Sequence, residues 1–170
     1  MRRGTETVPG LGLRKQLILA TGGNVLDLAI AMLETREMLA NYPLGDVYPG
    51  GAPKTGDAAN FGIFKQNWLM IRTSVSQYAV LGAGDYLRGQ ALNSDLRLDI
   101  DTLHASQTHH GLAARWWAGH RNGATGLAAG TLSQDIHHYR DAVFWIRSQL
   151  SLASANLAND TRWWCDLHPI

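Results

Sequence analysis

The sequence predicts a mainly α protein in which one long irregular segment separates the first helix from the rest. Three observations lead there. Apolar residues recur at the helical period in several stretches, no stretch alternates apolar and polar residues as a half-buried strand does, and prolines and glycines crowd the chain from Asn41 to Ala59. At 170 residues the chain is long enough to bury a core as a single domain, 1–170, without disulfide staples.

Residues 1–13 carry Gly4, Pro9, Gly10 and Gly12 and are expected to be irregular, leaving Glu6 in a frayed terminus. Asn24 is placed to cap a helix running to about residue 40. Val25, Leu26, Ala29, Ile30 and Leu33 give that helix its apolar face, and Glu34 and Glu37 fall together near its end. Carboxylates there oppose the helix dipole, a local inconsistency of the kind that gathers at functional sites.

The 41–59 segment follows, with Pro43, Pro49 and Pro53 set among Gly45, Gly50, Gly51 and Gly56. It reads as loop, with room for at most a small β-hairpin, and loops this long in compact domains are usually functional or disordered. Asn60 is the expected cap of the next helix, which carries Phe64, Trp68 and Ile71 on one face and runs on to Val75–Val80 before Gly82 and Gly84 break it. Shorter helical patterns cover 85–92, 95–105 and 113–117. Thr131 to Gln134 has the capping-box spacing for the last helix, whose apolar positions are Ile136, Tyr139, Val143, Ile146 and Leu150.

Composition narrows the function. A net charge of +1 with scattered basic residues gives no footprint for nucleic acid, and a neutral polymer suits the balance better. No apolar run approaches the roughly 18 residues of a membrane span. Met1-Arg2-Arg3 begins like an export signal, but Leu17 to Ala20 is too short for its apolar centre. The residues alone therefore allow either a cytoplasmic chain or a mature exported one.

The single Cys165 excludes an internal disulfide and any multi-cysteine zinc site, and beside Trp163 and Trp164 it reads as a partly buried thiol. The pairs His109-His110 and His137-His138 do not share a helix face, and no HxxxH occurs, so no metal or cofactor is expected. Phosphate-binding glycine loops and a GxSxG elbow are missing from the sequence as well.

The chemistry lies in the acids and in the block from Gly56 to Trp68, where Asp57, Asn60, Lys65, Gln66 and Asn67 surround Phe61, Phe64 and Trp68. Polar groups beside aromatic faces are what a sugar surface requires, although a helix surface over an ordinary core tryptophan accounts for the same letters. Trp116-Trp117 with His120, Arg121 and Asn122 forms a second cluster of this kind, in which one tryptophan is expected to face the core and the other a cleft.

Glycoside hydrolysis needs two carboxyl groups across the scissile bond. Among three glutamates, Glu34 follows the apolar Ala31-Met32-Leu33, a setting expected to desolvate it and raise its pKa toward that of a general acid. Asp46, in the glycine-rich loop, and Asp57 compete as the second carboxylate, with Asp57 also suited to a capping role.

Leu33-Glu34-Thr35, Tyr42-Pro43-Leu44-Gly45-Asp46, Lys54-Thr55-Gly56-Asp57, Asn60 through Trp68 and Gly119-His120-Arg121-Asn122-Gly123 together resemble glycoside hydrolase family 134, in order, across about residues 25–150. The resemblance implies a secreted endo-β-1,4-mannanase with a lysozyme-like fold, an inverting mechanism and its export signal removed. It implies Glu34 as general acid and Asp46 as general base. Asp57, Asn60, Lys65, Gln66, Asn67, Trp68, Trp117, His120, Arg121 and Asn122 are then expected along a groove for mannan and mannooligosaccharides, on a monomer that binds neither nucleic acid nor membrane. Some members pair cysteines where this chain has Ile63 and Phe64, a departure that removes a staple but no catalytic group. A lysozyme-like or lytic activity on peptidoglycan and a non-catalytic carbohydrate-binding domain are the competing readings.

Overall fold

The computed structural model describes residues 1–129 and 131–168. Strand β1 (Arg3–Thr7) leads into α1 (Leu11–Ala20) and α2 (Val25–Glu34). A hairpin of β2 (Asn60–Phe61) and β3 (Gln66–Asn67) leads directly into α3 (Trp68–Ser74). Helices α4 (Ala91–Ser94), α5 (Leu96–His110), α6 (Ala114–Ala129) and α7 (Gln134–Ser151) follow, and β4 (Thr161–Cys165) closes the order. Among the described residues the architecture is mainly helical with two small antiparallel sheets, consistent with an α+β lysozyme-like fold.

Helix α2 is the centre of the molecule. Its cap is the expected Asn24, which accepts from Asp27 N while the Asp27 carboxylate accepts from Asn24 N, a reciprocal box. Leu28, Ala29, Ile30, Ala31 and Met32 are fully buried, so the helix is apolar on nearly every side, as a core helix is. Burying each large side chain stabilises the fold by roughly 1.5–3 kcal/mol. Helix α7 packs along α2 through Ile136, Tyr139, Val143, Ile146 and Leu150, the positions its periodicity marked. A smaller cluster of Ala59, Phe61, Trp68, Ile71, Tyr78 and Leu92 lies under the 41–59 loop.

Several expectations give way here. Residues 1–13 are ordered: β1 pairs antiparallel with β4, Arg3 opposite Cys165 through Thr7 opposite Thr161, and Leu11 already opens a helix. Glu6 is not frayed, because it bonds the guanidinium groups of Arg36 and Arg162.

Helix α2 ends at Glu34 and does not reach residue 40, since Thr35 turns extended (φ −135°, ψ 130°) and its hydroxyl donates to Ala31 O. Glu37 therefore lies outside the helix. The cap of α3 is Asn67, whose side chain accepts from Met70 N, while Asn60 belongs to β2. Ser133, not Thr131, caps α7. The small β-hairpin allowed for in the 41–59 loop is present, with the bridge Val47–Pro53 and the bonds from Tyr48 N to Ala52 O and from Lys54 N to Asp46 O inside the loop, and a second bridge, Gly45–Asn60, joins the loop to β2.

The hairpin turn depends on one glycine. Gly62 has φ +76°, and a Cβ there would lie 2.1 Å from Asp99 Oδ1. Asp99 is fully buried and fastens the turn by accepting from Ile63 N and Gln66 Nε2, both at 2.7 Å. Burial pushes its carboxyl up to about 8, against the pull of those two donors.

A carboxylate cleft between helices and loop

The end of α2, the 46–60 loop, the β2–β3 hairpin, α6 and α7 enclose a cleft of about 850 Å³. Glu34, Asp46, Asp57, Asn60, Lys65, Asn67, His120, Arg121 and Asn122 line it, so the structure brings together nine of the twelve residues singled out from the sequence.

Glu34 is the last residue of α2, and its side chain is 17% exposed. The Tyr139 hydroxyl, from inside α7, donates to Oε1 at 2.5 Å. His120 Nε2 lies 3.6 Å from the same oxygen, an ion-pair contact rather than a hydrogen bond. Burial alone raises this carboxyl. His120, the Tyr139 hydroxyl and the positive charge of Arg121 together outweigh burial and hold it below the ordinary value. The expected rise is thus reversed in the open cleft, because desolvation is met by donors and cations that sequence spacing does not reveal.

Asp46 is held differently. It sits in the loop at φ +70°, a left-handed conformation that Asp tolerates better than bulky residues. Asn60 Nδ2 donates to it at 2.9 Å, Lys65 Nζ approaches both oxygens at 3.1–3.2 Å, and Lys54 Nζ stands 3.8 Å away. Burial works to raise its carboxyl too, but Asn60, the Val47 backbone and Lys65 outweigh it and hold the carboxyl below its ordinary value. Lys65 reaches it because the turn places Lys65 at φ +46°. Asp57 is not a cap here: it forms a two-point ion pair with Arg72 of α3, at 2.7 and 2.9 Å.

Three expected groove residues are elsewhere. Gln66 is buried and donates to the Asp99 backbone and carboxylate. Trp68 is fully buried in the smaller core cluster, with its Nε1–H on Gly82 O. Trp117 is buried with its Nε1–H on Leu112 O, and Trp116 is buried beside it, so neither faces the cleft. The helical period puts these aromatics on faces that pack inward, and that satisfies them without a ligand.

Asn67, by contrast, does two jobs: its oxygen caps α3, and its amide donates to Gly119 O at 2.8 Å, fixing the segment that presents His120. Arg121 pairs with Asp135 at 3.1 Å and lies over the Tyr139 ring. The helix bends at Gly123 (φ +54°, ψ −134°), a conformation closed to most side chains, where its residues 120–125 border the cleft.

Sequence reasoning gave no site role to Tyr139, Lys54 or Tyr48, although Lys54 stands in a block quoted for the family resemblance and Tyr48 marks the loop as more than a linker. Tyr139 stood among apolar helix positions, but a buried phenol needs a hydrogen-bond partner, and that need was the available signal. Tyr48 follows Asp46 by two residues, lies in contact with Lys54 (5.3 Å from Nζ to ring centroid) and is 41% exposed, whereas Tyr139, the other tyrosine lining the cleft, is buried.

Among the described residues no group of three or more His, Cys, Asp or Glu side chains is placed to hold a metal ion, and no helix is long and apolar enough to cross a membrane. The sequence model of glycosyl hydrolase family 134 matches residues 12–167, which includes every residue of this cleft but His168. Among curated proteins none matches the chain.

Proposed function

The chain belongs to glycosyl hydrolase family 134, so it is a glycoside hydrolase, and from that premise we propose that it is an inverting endo-β-1,4-mannanase. The observation that carries the reading is the pairing of unlike carboxylates on one cleft: Glu34 under a phenol and an imidazole, Asp46 under two lysines and an amide. Two carboxyl groups in different surroundings are what separate an acid from a base.

Glu34 donates a proton to the leaving glycosidic oxygen. Asp46, kept ionised, takes a proton from a water that attacks the anomeric carbon from the other face, and configuration inverts. Its low basicity is offset by position, since Asn60 and Lys65 fix both oxygens. Tyr48 supplies the plate on which a sugar ring stacks, the role that Trp68 and Trp117 do not fill.

The charge of the lining supports this choice of substrate. Lys65 is tied to Asp46, Arg121 to Asp135, and Arg72 to Asp57 at the cleft edge, so acids and cations balance. A neutral polymer such as mannan suits this lining, with the protein acting as a secreted monomer. Incubation with β-mannan and with bacterial cell walls, reading new reducing ends, tests the substrate; release from cell walls alone overturns mannan. Proton NMR of the first products tests the stereochemistry: α-anomers are expected from the β-linked polymer, and an initial β-anomer means retention.

A further inference from the structure

His120 is a cleft residue whose chemistry that reaction leaves unused. Its ring lies flat on Trp116, with centroids 4.6 Å apart and planes 13° from parallel, and its side chain is 2% exposed. The Asn67 amide holds the backbone from which it projects. Among the described residues the buried Nε2 has no hydrogen-bond partner, and it faces Glu34 Oε1 at 3.6 Å. A buried polar atom left without a partner is costly, and such atoms in folded proteins call for a reason.

We propose that His120 is a positioning residue that stores the proton of Glu34: the two side chains share one proton, carried on Nε2 in the open cleft and on the carboxyl once a sugar covers it. The inference rests on the reading of Glu34 as the acid. The groups facing the pair leave this division of labour. Tyr139, from α7, donates its hydroxyl to Oε1, and its proton is held far above the ordinary range by burial and by Glu34, so it orients but does not supply. Arg121, beside His120 on α6, is fixed by Asp135 and never gives up a proton. From the loop side, Lys54 and Tyr42 feel the Glu34 charge, while Asp46 is engaged by Lys65, Lys54 and Asn60. An imidazole is the side chain suited to change charge near neutrality.

In the open cleft, water reaching the exposed edge of Glu34 solvates the charged pair. A bound sugar removes that water, and an ion pair without a full set of hydrogen bonds then loses to its neutral form. The Nε2–H bond breaks, an O–H bond forms on the Glu34 carboxylate, and both charges vanish together. Glu34 then passes this proton to the leaving oxygen and is a carboxylate again. The imidazole regains a proton from solvent, matched by the one that Asp46 takes from the attacking water and releases to solvent.

Two measurements on the full chain test this. Histidine NMR follows the His120 ring across pH in the parent and in Glu34→Gln; loss of the facing carboxylate is expected to move its titration midpoint down by about one pH unit or more. An unchanged midpoint overturns the proposal. On mannan, His120→Gln is expected to shift the alkaline limb of kcat/KM to lower pH by about one unit or more, with His120→Asn as the second variant should the first not fold. A uniform loss with the limb in place means a merely structural ring and also overturns it. If the parent does not act on mannan, the substrate reading fails while the NMR arm still decides whether the pair shares a proton.

Discussion

Glu34 and Asp46 share a cleft but not a manner of support. Glu34 ends a helix whose body is the core, and its hydrogen bond comes from a phenol inside another packed helix. Asp46 sits at positive φ in a glycine-rich loop and is secured by cations and one amide borrowed from a two-residue strand and its turn. Around Glu34 a phenol, an imidazole and the charge of Arg121 outweigh burial and hold the carboxyl below its ordinary value. Support by cations commits Asp46 to the charged form. Both carboxyls are thus lowered in the open cleft, and what separates them is the partner: an imidazole, the side chain suited to change charge near neutrality, faces Glu34, and lysine ammonium groups face Asp46.

Removing either carboxylate is the strongest challenge to this contrast. Glu34→Gln and Asp46→Asn are each expected to lower kcat on mannan by about 10²–10⁴-fold while oligosaccharide affinity, read by calorimetry, is kept. Equal activity in either variant would leave that residue outside the chemistry.

The next test exchanges supports rather than carboxyls. Lys65→Met removes a cation that holds the Asp46 carboxyl down, so the acid limb of the pH–rate profile should rise by about one unit. Asp46 lends stability above its unfolded titration range and loses it as pH falls through its lower folded value; thermal melts of Lys65→Met should therefore lose that advantage at a higher pH than the parent. Tyr139→Phe removes a donor that lowers Glu34, so here the alkaline limb should rise, by less than about one unit, with the acid limb unmoved. If both variants move the same limb, the two carboxylates are not divided as described.

A smaller effect is expected from Tyr48→Ala, a rise in KM of roughly 2–10-fold with kcat near the parent's, as for loss of one aromatic contact. The smallest belongs to Asp57→Asn. Its pair with Arg72 is partly exposed on both sides, worth about 0.2–1 kcal/mol, so turnover should stay within about threefold and the melting temperature should barely change. A loss as large as that of Asp46→Asn would return Asp57 to the role of second carboxylate.

What the sequence disclosed follows the range of its signals. Asn24, the apolar run to Leu33 and the spacing of α7 are local patterns, and they located the helix that ends in Glu34 and the helix that packs on it. The proline and glycine run located the loop that carries Asp46. Strand β1 escaped notice because Arg-Gly-Thr-Glu-Thr has no apolar alternation, and its partner lies at the far end of the chain. The aromatic faces were ambiguous for another reason: periodicity shows that Trp68 and Trp117 share a side with apolar neighbours, but not whether that side meets a core or a groove. Asn60 and Asn67 both precede apolar residues, and only tertiary contact decides that Asn67 caps the helix while Asn60 grips Asp46.

The pairing of β1 with β4 bears on how the protein is made. The first strand has no partner until the last one emerges, and β4 leads into Leu167 and His168, which finish one border of the cleft. Synthesis proceeds at roughly 5–20 residues per second, so β1 waits on the order of ten seconds for closure. The helices between them can gather earlier, but the cleft is complete only when Thr161–Cys165 is laid against Arg3–Thr7. A ribosome stalled before Thr161 would therefore hold a chain with both catalytic candidates already made and the site still unfinished.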